Sequence, residues 1–178
     1  MKEVHIIGGG ESLKKDYWIN DKWDFSYFKD LETIAVNYSV NHIPNCKILV
    51  GLDTNFHISN KTFLMKWEGT MYAQSSTLRG YPYIKYEVLK RKHSWSTELP
   101  YVYSINNSGL AAINLAFILG YELVHLHGFD MKGNNSFYSY KDVNEVQRYF
   151  KRICYDWKQG TKQYNLNIIN HNPKSSLR

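Results

Sequence analysis

The sequence predicts an α/β fold of Rossmann-like type, a mostly parallel sheet with flanking helices, and three observations predict it. Short apolar runs of strand type recur along the chain with helical or irregular stretches between them, the alternation expected of a sheet covered by helices. The first run, Val4-His5-Ile6-Ile7, leads directly into Gly8-Gly9-Gly10-Glu11-Ser12-Leu13, a strand, a glycine turn and the start of a helix. At 178 residues and 43% hydrophobic the chain fills one ordinary core and is short for two, so a single domain over residues 1–178 is expected.

Taken in order, strands are expected at Val4 to Ile7, Thr33 to Asn37, Lys47 to Leu52, Tyr101 to Ile105, Leu123 to His127 and Asn167 to Asn170. Each is a run of apolar and β-branched residues bounded by turn formers. The clearest helix runs from Gly109 to Leu119. It follows Ser108, a good N-cap, is apolar nearly all round, and stops at Gly120, which suits a left-handed C-terminal turn. Such a helix belongs against the sheet. A second helix is read from Asp142 to Lys158, where Val146, Tyr149, Phe150, Ile153 and Trp157 recur at helical spacing, with Asp142 as N-cap and Gly160 as its end. The middle of the chain, residues 55–100, carries Gly69, Gly80, Pro82 and many aromatics, and reads as an irregular or partly helical insertion, a lid over the ligand edge of the sheet.

The formal charge of +6 favours anionic partners without choosing among nucleic acid, nucleotides and acidic sugars. Its densest part, residues 79–93, interleaves Arg79, Lys85, Lys90, Arg91 and Lys92 with Tyr81, Tyr83 and Tyr86. Aromatics between cations can stack bases while the cations meet phosphates, and the same stretch also reads as a solvated face beside a tyrosine-rich loop. Cys46 and Cys154 lack metal-ligand spacing and fit small core residues in a reducing compartment. Without a signal-like start or a run of about 20 apolar residues, a cytoplasmic protein is expected. Abundant Asn, Lys, Tyr and Ile match the usage of AT-rich bacterial or phage genomes.

In open α/β sheets ligands sit beyond the carboxyl ends of the strands. The residues collected there are Gly8, Gly9, Gly10 and Ser12 after the first strand, Asn37 after the second and Asp53 after the third. Asn106, Asn107 and Ser108 follow the fourth, and Gly128 and Asp130 the fifth. A glycine turn before a helix offers a phosphate close backbone approach and unpaired N–H groups, and the turn at Asn107-Ser108-Gly109 opens a second helix N-terminus on the same edge. Neither strict nucleotide signature is present, since no Gly-Lys-Ser/Thr follows and Leu13 stands where the dinucleotide fingerprint has its third glycine. A nucleotide is expected between Gly8–Ser12 and Asn107–Gly109, with Gly10→Val abolishing binding while sparing the fold. Asn side chains also form turns unaided. His125 and His127 share one strand face, so they read either as core histidines or, with Asp130, as metal ligands. Asp130 can hold a divalent ion or a sugar hydroxyl, or cap the turn that follows it. Asp53 and His57 stand four apart, on one face if helical.

Gly8-Gly9-Gly10-Glu11-Ser12-Leu13, Ala35-Val36-Asn37, Asn107-Ser108-Gly109-Leu110 leading to Leu119-Gly120-Tyr121, and Leu126-His127-Gly128-Phe129-Asp130 together resemble the family 42 sialyltransferases and the related MptE-like proteins and pterin pyrophosphokinases. Ile168-Ile169-Asn170 and Pro173-Lys174-Ser175-Ser176-Leu177 extend the likeness to the end of the chain, while the middle hardly shares it. The resemblance implies a Rossmann-like fold holding a nucleotide-sugar donor of CMP type, with the glycine turn, Asn37 and the Asn107-Ser108-Gly109 turn around the nucleotide. It also implies that Tyr138 and Tyr140 stabilise the departing phosphate. Two departures stand out. The family turn reads Gly-Asn-Gly-Pro-Ser-Leu, against Gly9 and Glu11 here, and the family's histidine base has no counterpart between Lys141 and Trp157.

Three functions follow. The first is a glycosyltransferase-like transferase, with His127, Asp130 and His57, in that order, as candidate bases. The second is pyrophosphoryl transfer from ATP with Asp130 and Asp53 placing Mg²⁺. The third is a non-enzymatic module that binds nucleic acid through residues 79–93.

Overall fold

A computed structural model describes residues 1–74, 86–104, 107–130, 154–156, 158–164, 166–175 and 177. In chain order its elements are β1 (Glu3–Ile7), α1 (Ser12–Tyr17), β2 (Trp18–Ile19), β3 (Lys22–Trp23), β4 (Thr33–Val36), β5 (Ile48–Gly51), α2 (Thr54–Ser59) and α3 (Lys61–Leu64). There follow β6 (Thr70–Ala73), β7 (Glu87–Val88), β8 (Lys90–Lys92), β9 (Tyr101–Tyr103), α4 (Ser108–Ile118), β10 (Leu123–His127) and β11 (Asn167–Asn170). Short 3-10 turns sit at Ser26–Phe28 and Asn37–Asn41. Residues 154–156 and 158–164 are helical.

Seven strands form one parallel sheet in the order β11-β10-β1-β4-β5-β6-β7, the α/β architecture expected. From β1 the chain winds outward through β4, β5, β6 and β7, then returns to lay β10 and β11 on the other side of β1. The winding reverses between β1 and β10, which places the topological switch point where Gly8–Gly10 faces Gly128–Asp130.

Alternation along each strand builds two cores. Val4, Ile6, Ile34, Val36, Val50, Val124 and Leu126 face α4, which is buried from Ser108 to Ala116. Fully buried Leu110, Ile113 and Leu115 each contribute about 2 kcal/mol through the apolar area they remove from water. On the opposite face Ile7, Ala35, Leu49, Met71 and Ala73 pack with Leu13, Phe25, Phe28 and Phe56. The β2–β3 hairpin on that side turns through Asn20 and Asp21, both with positive φ (49° and 59°), the pair of left-handed residues that a tight two-residue hairpin needs.

Four expectations change. The strand at Tyr101 does not join the main sheet; β9 pairs in parallel with β8 as a separate two-stranded unit, and Ile105 lies outside the described residues. The place beside β5 goes to β6, so the segment read as an irregular insertion supplies β6 and β7 to the sheet. Met71, Tyr72 and Ala73 are all buried, as a strand covered on both faces requires. The N-cap of the long helix is Asn107, whose Oδ1 accepts from Leu110 N at 2.8 Å, and Ser108 is left for other work. Gly160 lies within a helix rather than ending one. A Cβ there would come within 1.5 Å of Trp95 Nε1, so glycine is what lets the indole pack on the helix backbone.

Asn114 fastens the β8–β9 unit to α4. Fully buried, its Oδ1 accepts from Tyr103 N at 2.7 Å and Ser96 N at 3.1 Å, and its Nδ2 donates to Ser96 O at 2.9 Å. Asn114→Leu keeps the branched shape with a larger volume and strands three buried backbone groups. A loss of about 3 kcal/mol in urea unfolding is expected, and a loss under about 1 kcal/mol would contradict this anchoring role.

Candidate functional site

Backbone hydrogen bonds hold the glycine turn to the end of β10. Gly8 N donates to His127 O at 2.8 Å and Gly10 N to Gly128 O at 2.7 Å. A Cβ on Gly10 would lie 2.5 Å from Gly128 O and 2.7 Å from Asp130 Cγ, and Gly128 itself has φ +69° with Leu13 packed against it. Asp130, 6% exposed, is the centre of this arrangement. Its Oδ2 accepts from Ser12 N at 2.7 Å, and its Oδ1 accepts from Ser12 Oγ and from Asn172 Nδ2, the latter at 2.8 Å. The carboxylate thereby takes up Ser12 N and Ser12 Oγ, two of the groups expected to meet a phosphate. Leu13 N and Lys14 N donate to Gly10 O and Glu11 O at 3.2 and 3.0 Å. With a carboxyl group and a carbonyl against Gly10, Gly10→Val cannot spare the fold. The ring of Phe129 fills the space between Gly8 and Gly109, within 3.1 Å and 2.8 Å of where their Cβ atoms would be.

The open polar ground lies one strand further on, beyond the carboxyl ends of β4 and β5. Asn37 turns the chain there with φ +51°, a conformation Asn tolerates better than most residues. Its Nδ2 lies 3.3 Å from Ser108 Oγ, which also accepts from Leu52 N at 3.3 Å. These contacts are long for hydrogen bonds and readily exchanged for a ligand's oxygens. Asn37, Leu52 and Asn107 are half-buried, and Ser108 opens the eleven-residue α4, whose dipole favours negative charge. Ser39, fully buried, fixes the floor by accepting from Val36 N at 2.9 Å and donating to Ile7 O at 2.8 Å, tying the ends of β4 and β1. Nothing in the sequence near Ser39 marks it out.

The remaining candidates are placed as follows. Asp53 caps α2, accepting from Asn55 N at 2.8 Å. His57 is wholly buried, its Nε2 donating to Gly51 O at 2.8 Å while Nδ1 meets no hydrogen-bond partner. His127 is 3% exposed and holds His5 Nδ1 on one ring nitrogen and Tyr17 Oη on the other, each at 3.0 Å. Burial and the neighbouring His171, His5 and His125 push it down to about 2. Burial pushes the Tyr17 phenol up to about 12. Tyr138, Tyr140 and Asn106 lie outside the described residues, as do 79–85 of the basic stretch. In the rest of that stretch Lys90, Arg91 and Lys92 form the exposed strand β8, beside the buried Leu89.

His127 belongs to a histidine face. His5 and His125 are register partners on β1 and β10, their rings stacked with centroids 4.6 Å apart, and His171 stacks on His127 at 4.2 Å. Glu3 Oε1 lies 3.3 Å from His5 Nε2 and 3.0 Å from His125 Nε2. Among the described residues Glu3, His5 and His125 form the group whose ligand atoms lie close enough to hold a metal, and Asp130 and Asp53 are not part of it. A groove of 1080 Å³ lies at the other end of the sheet, by Lys29, Glu32, Lys47 and Trp67 near the amino ends of β4 to β6, away from the edge where such sheets bind ligands.

No protein-family model and no curated protein sequence matches the chain. Solved structures do share its fold. The sialyltransferase CstII from Campylobacter jejuni, in complex with cytidine-5'-monophosphate, superposes with a TM-score of 0.58 at 15% identity, over 98% of this chain and 82% of that one. A CstII complex with CMP-3FNeuAc gives 0.54 at 16% identity, over 98% and 83%. A CstII variant in complex with CMP gives 0.54 at 14%. The fold is thus that of these sialyltransferases, and among the described residues no helix is long and apolar enough to cross a membrane.

Two outcomes are expected from this geometry. Gly10→Ala, lacking room against backbone and carboxylate, is expected to cost about 2–3 kcal/mol in denaturant unfolding; a change below about 0.5 kcal/mol would contradict the close approach. His57 is lowered from its ordinary value by burial, so the unfolded chain binds a proton that the folded chain refuses. Its contribution is complete above about pH 6.5 and is lost as pH falls below that value toward its folded pKa. Urea midpoints taken between about pH 7 and pH 5 are expected to fall less steeply in His57→Leu than in the parent, and equal slopes would contradict it.

Proposed function

We propose that the chain is a glycosyltransferase-like enzyme that takes a nucleotide sugar of CMP type at the carboxyl edge of the sheet. The observation that carries this reading is the fold shared over 98% of the chain with sialyltransferases whose structures hold CMP or a CMP-sugar analogue. The polar ground formed by Asn37, Ser108 and the start of α4 supports it. In this reading the donor's anionic groups meet the amino end of α4, Asn37 and Ser108 hydrogen-bond them, and the Gly8–Gly10 turn forms a wall shaped by its contact with Gly128 and Asp130.

Tyr138 and Tyr140, which the resemblance assigns to the departing phosphate, keep that part here. No general base is assigned. His127 and Asp130 have their polar atoms held internally and His57 is sealed in the core, so none of the three takes a proton from an acceptor in this reading. Asp130 has Oδ2 engaged by Ser12 and Oδ1 by Ser12 and Asn172, which disfavours it as a Mg²⁺ ligand and favours nucleotide-sugar chemistry over pyrophosphoryl transfer from ATP.

Calorimetric titration of CMP, UDP, GDP and ATP, each with and without added Mg²⁺, tests the reading. CMP is expected to bind most tightly, with an affinity indifferent to Mg²⁺. Asn37→Gly, which removes the side chain and accepts the positive φ, is expected to weaken CMP about tenfold with little loss of stability. Preference for ATP with Mg²⁺, or an unchanged CMP affinity in Asn37→Gly, would overturn it.

A further inference from the structure

We propose that Glu3, His5 and His125 bind a divalent first-row transition metal ion, zinc by preference, that clasps β1 to β10 on the face of the sheet opposite α4. The site is separate from the nucleotide edge. Glu3 and His5 stand two apart on β1 and so point to the same face, and the parallel register sets His125 directly beside His5. Strand geometry alone therefore brings one carboxylate and two imidazoles to three corners of a small polygon.

The distances are those of a shared ion. Zinc bonds of about 2.0–2.1 Å to nitrogen and oxygen hold tetrahedral ligand atoms roughly 3.3 Å apart. Glu3 Oε1 is 3.3 Å from His5 Nε2 and 3.0 Å from His125 Nε2, and all three ligand atoms lie within 4.8 Å of one another. His125 Nε2 is buried and makes no hydrogen bond, although a carboxylate oxygen is 3.0 Å away. The two atoms are close without being aimed at each other, as ligands aimed at a common third atom are.

The surrounding contacts are compatible with the tautomers that a metal needs. His5 Nδ1 lies 3.0 Å from His127 Nε2, and His127 Nδ1 lies 3.0 Å from Tyr17 Oη. His125 Nδ1 lies 2.9 Å from His171 Nε2. With protons on the two Nδ1 atoms, both Nε2 lone pairs face the Glu3 carboxylate and can share a cation with it. Orienting partners of this kind on the far nitrogen are what metal-bound histidines use. Two imidazoles and one carboxylate select Zn²⁺, Co²⁺ or Ni²⁺ over Mg²⁺ and Ca²⁺. The Glu3 side chain is 47% exposed, which gives an ion its entry and leaves room for a water ligand. Binding requires Glu3 ionised and both histidines neutral, so any proton held there is released to solvent.

The test uses untagged full chain, stripped with chelator and titrated with Co²⁺. The parent is expected to develop a visible ligand-field band that saturates at one ion per chain and disappears on adding Zn²⁺. Glu3→Gln, at the partly exposed start of β1, is expected to weaken Co²⁺ about 100-fold, and His171→Gln, acting through His125, about tenfold. His93→Gln, an exposed histidine elsewhere, is expected to bind as the parent does. Zinc is expected to raise the melting temperature of the parent and not that of Glu3→Gln, while CMP affinity stays equal in the two. No saturable band in the parent, or equal affinity in Glu3→Gln, would overturn the proposal and leave a histidine–carboxylate ion pair. Failure of CMP to bind either protein would bear on the proposed function and not on this site.

Discussion

The Asp130 carboxylate is the constraint on which the rest of the structure depends. A buried carboxylate is tolerated where hydrogen bonds satisfy its charge, and here two come from Ser12 and one from Asn172. Those bonds join the start of α1, the end of β10 and the C-terminal loop at one point. Because Asp130 must reach Ser12, the segment 128–130 lies against Gly10 too closely for any side chain. Phe129 is thereby pressed between Gly8 and Gly109, which sets how far the glycine turn stands from α4. In the proposed function the start of α1 is occupied by this carboxylate and an external anion is assigned to α4.

The two faces of the sheet divide the work. Toward α4 the strands present Val, Ile and Leu, and the helix is buried along nearly its whole length. On the other face the same alternation that buries Ile7 and Ala35 places four histidines and a glutamate around β1 and β10. Burial keeps His127 neutral, so its ring serves as a relay of hydrogen bonds between His5 and Tyr17 rather than as a charge. A polar cluster in that position stabilises the sheet when every member finds a partner, and the nitrogen of His125 that has none is where the face remains incomplete.

Much of this was legible in the residues. Val4 to Ile7 before three glycines, Gly120 after an apolar helix, and Leu123 to His127 were enough to place β1, α4 and β10, and with them the edge that holds the candidate site. The alternation of His125 and His127 put both on one face. Their true companions, Glu3 and His5, came from a strand more than a hundred residues away, and only the β1–β10 register brings them together. The same non-locality hid the role of Gly10. A glycine turn before a helix reads the same whether a phosphate or a carboxylate of the chain itself lies against it, and Asp130 is distant in sequence. Thr70–Ala73 was missed because four residues with a polar end give little period, and Tyr101–Tyr103 was placed in the wrong sheet because local pattern does not specify the neighbour.

A crystal structure of the chain grown with CMP tests the central proposal most directly, that an external anion meets the amino end of α4 rather than the start of α1. The account predicts the nucleotide beyond β4 and β5, hydrogen-bonded to Asn37 and Ser108, with Asp130 still on Ser12. A phosphate on Ser12 with Asp130 turned away, or a nucleotide bound elsewhere, would contradict it.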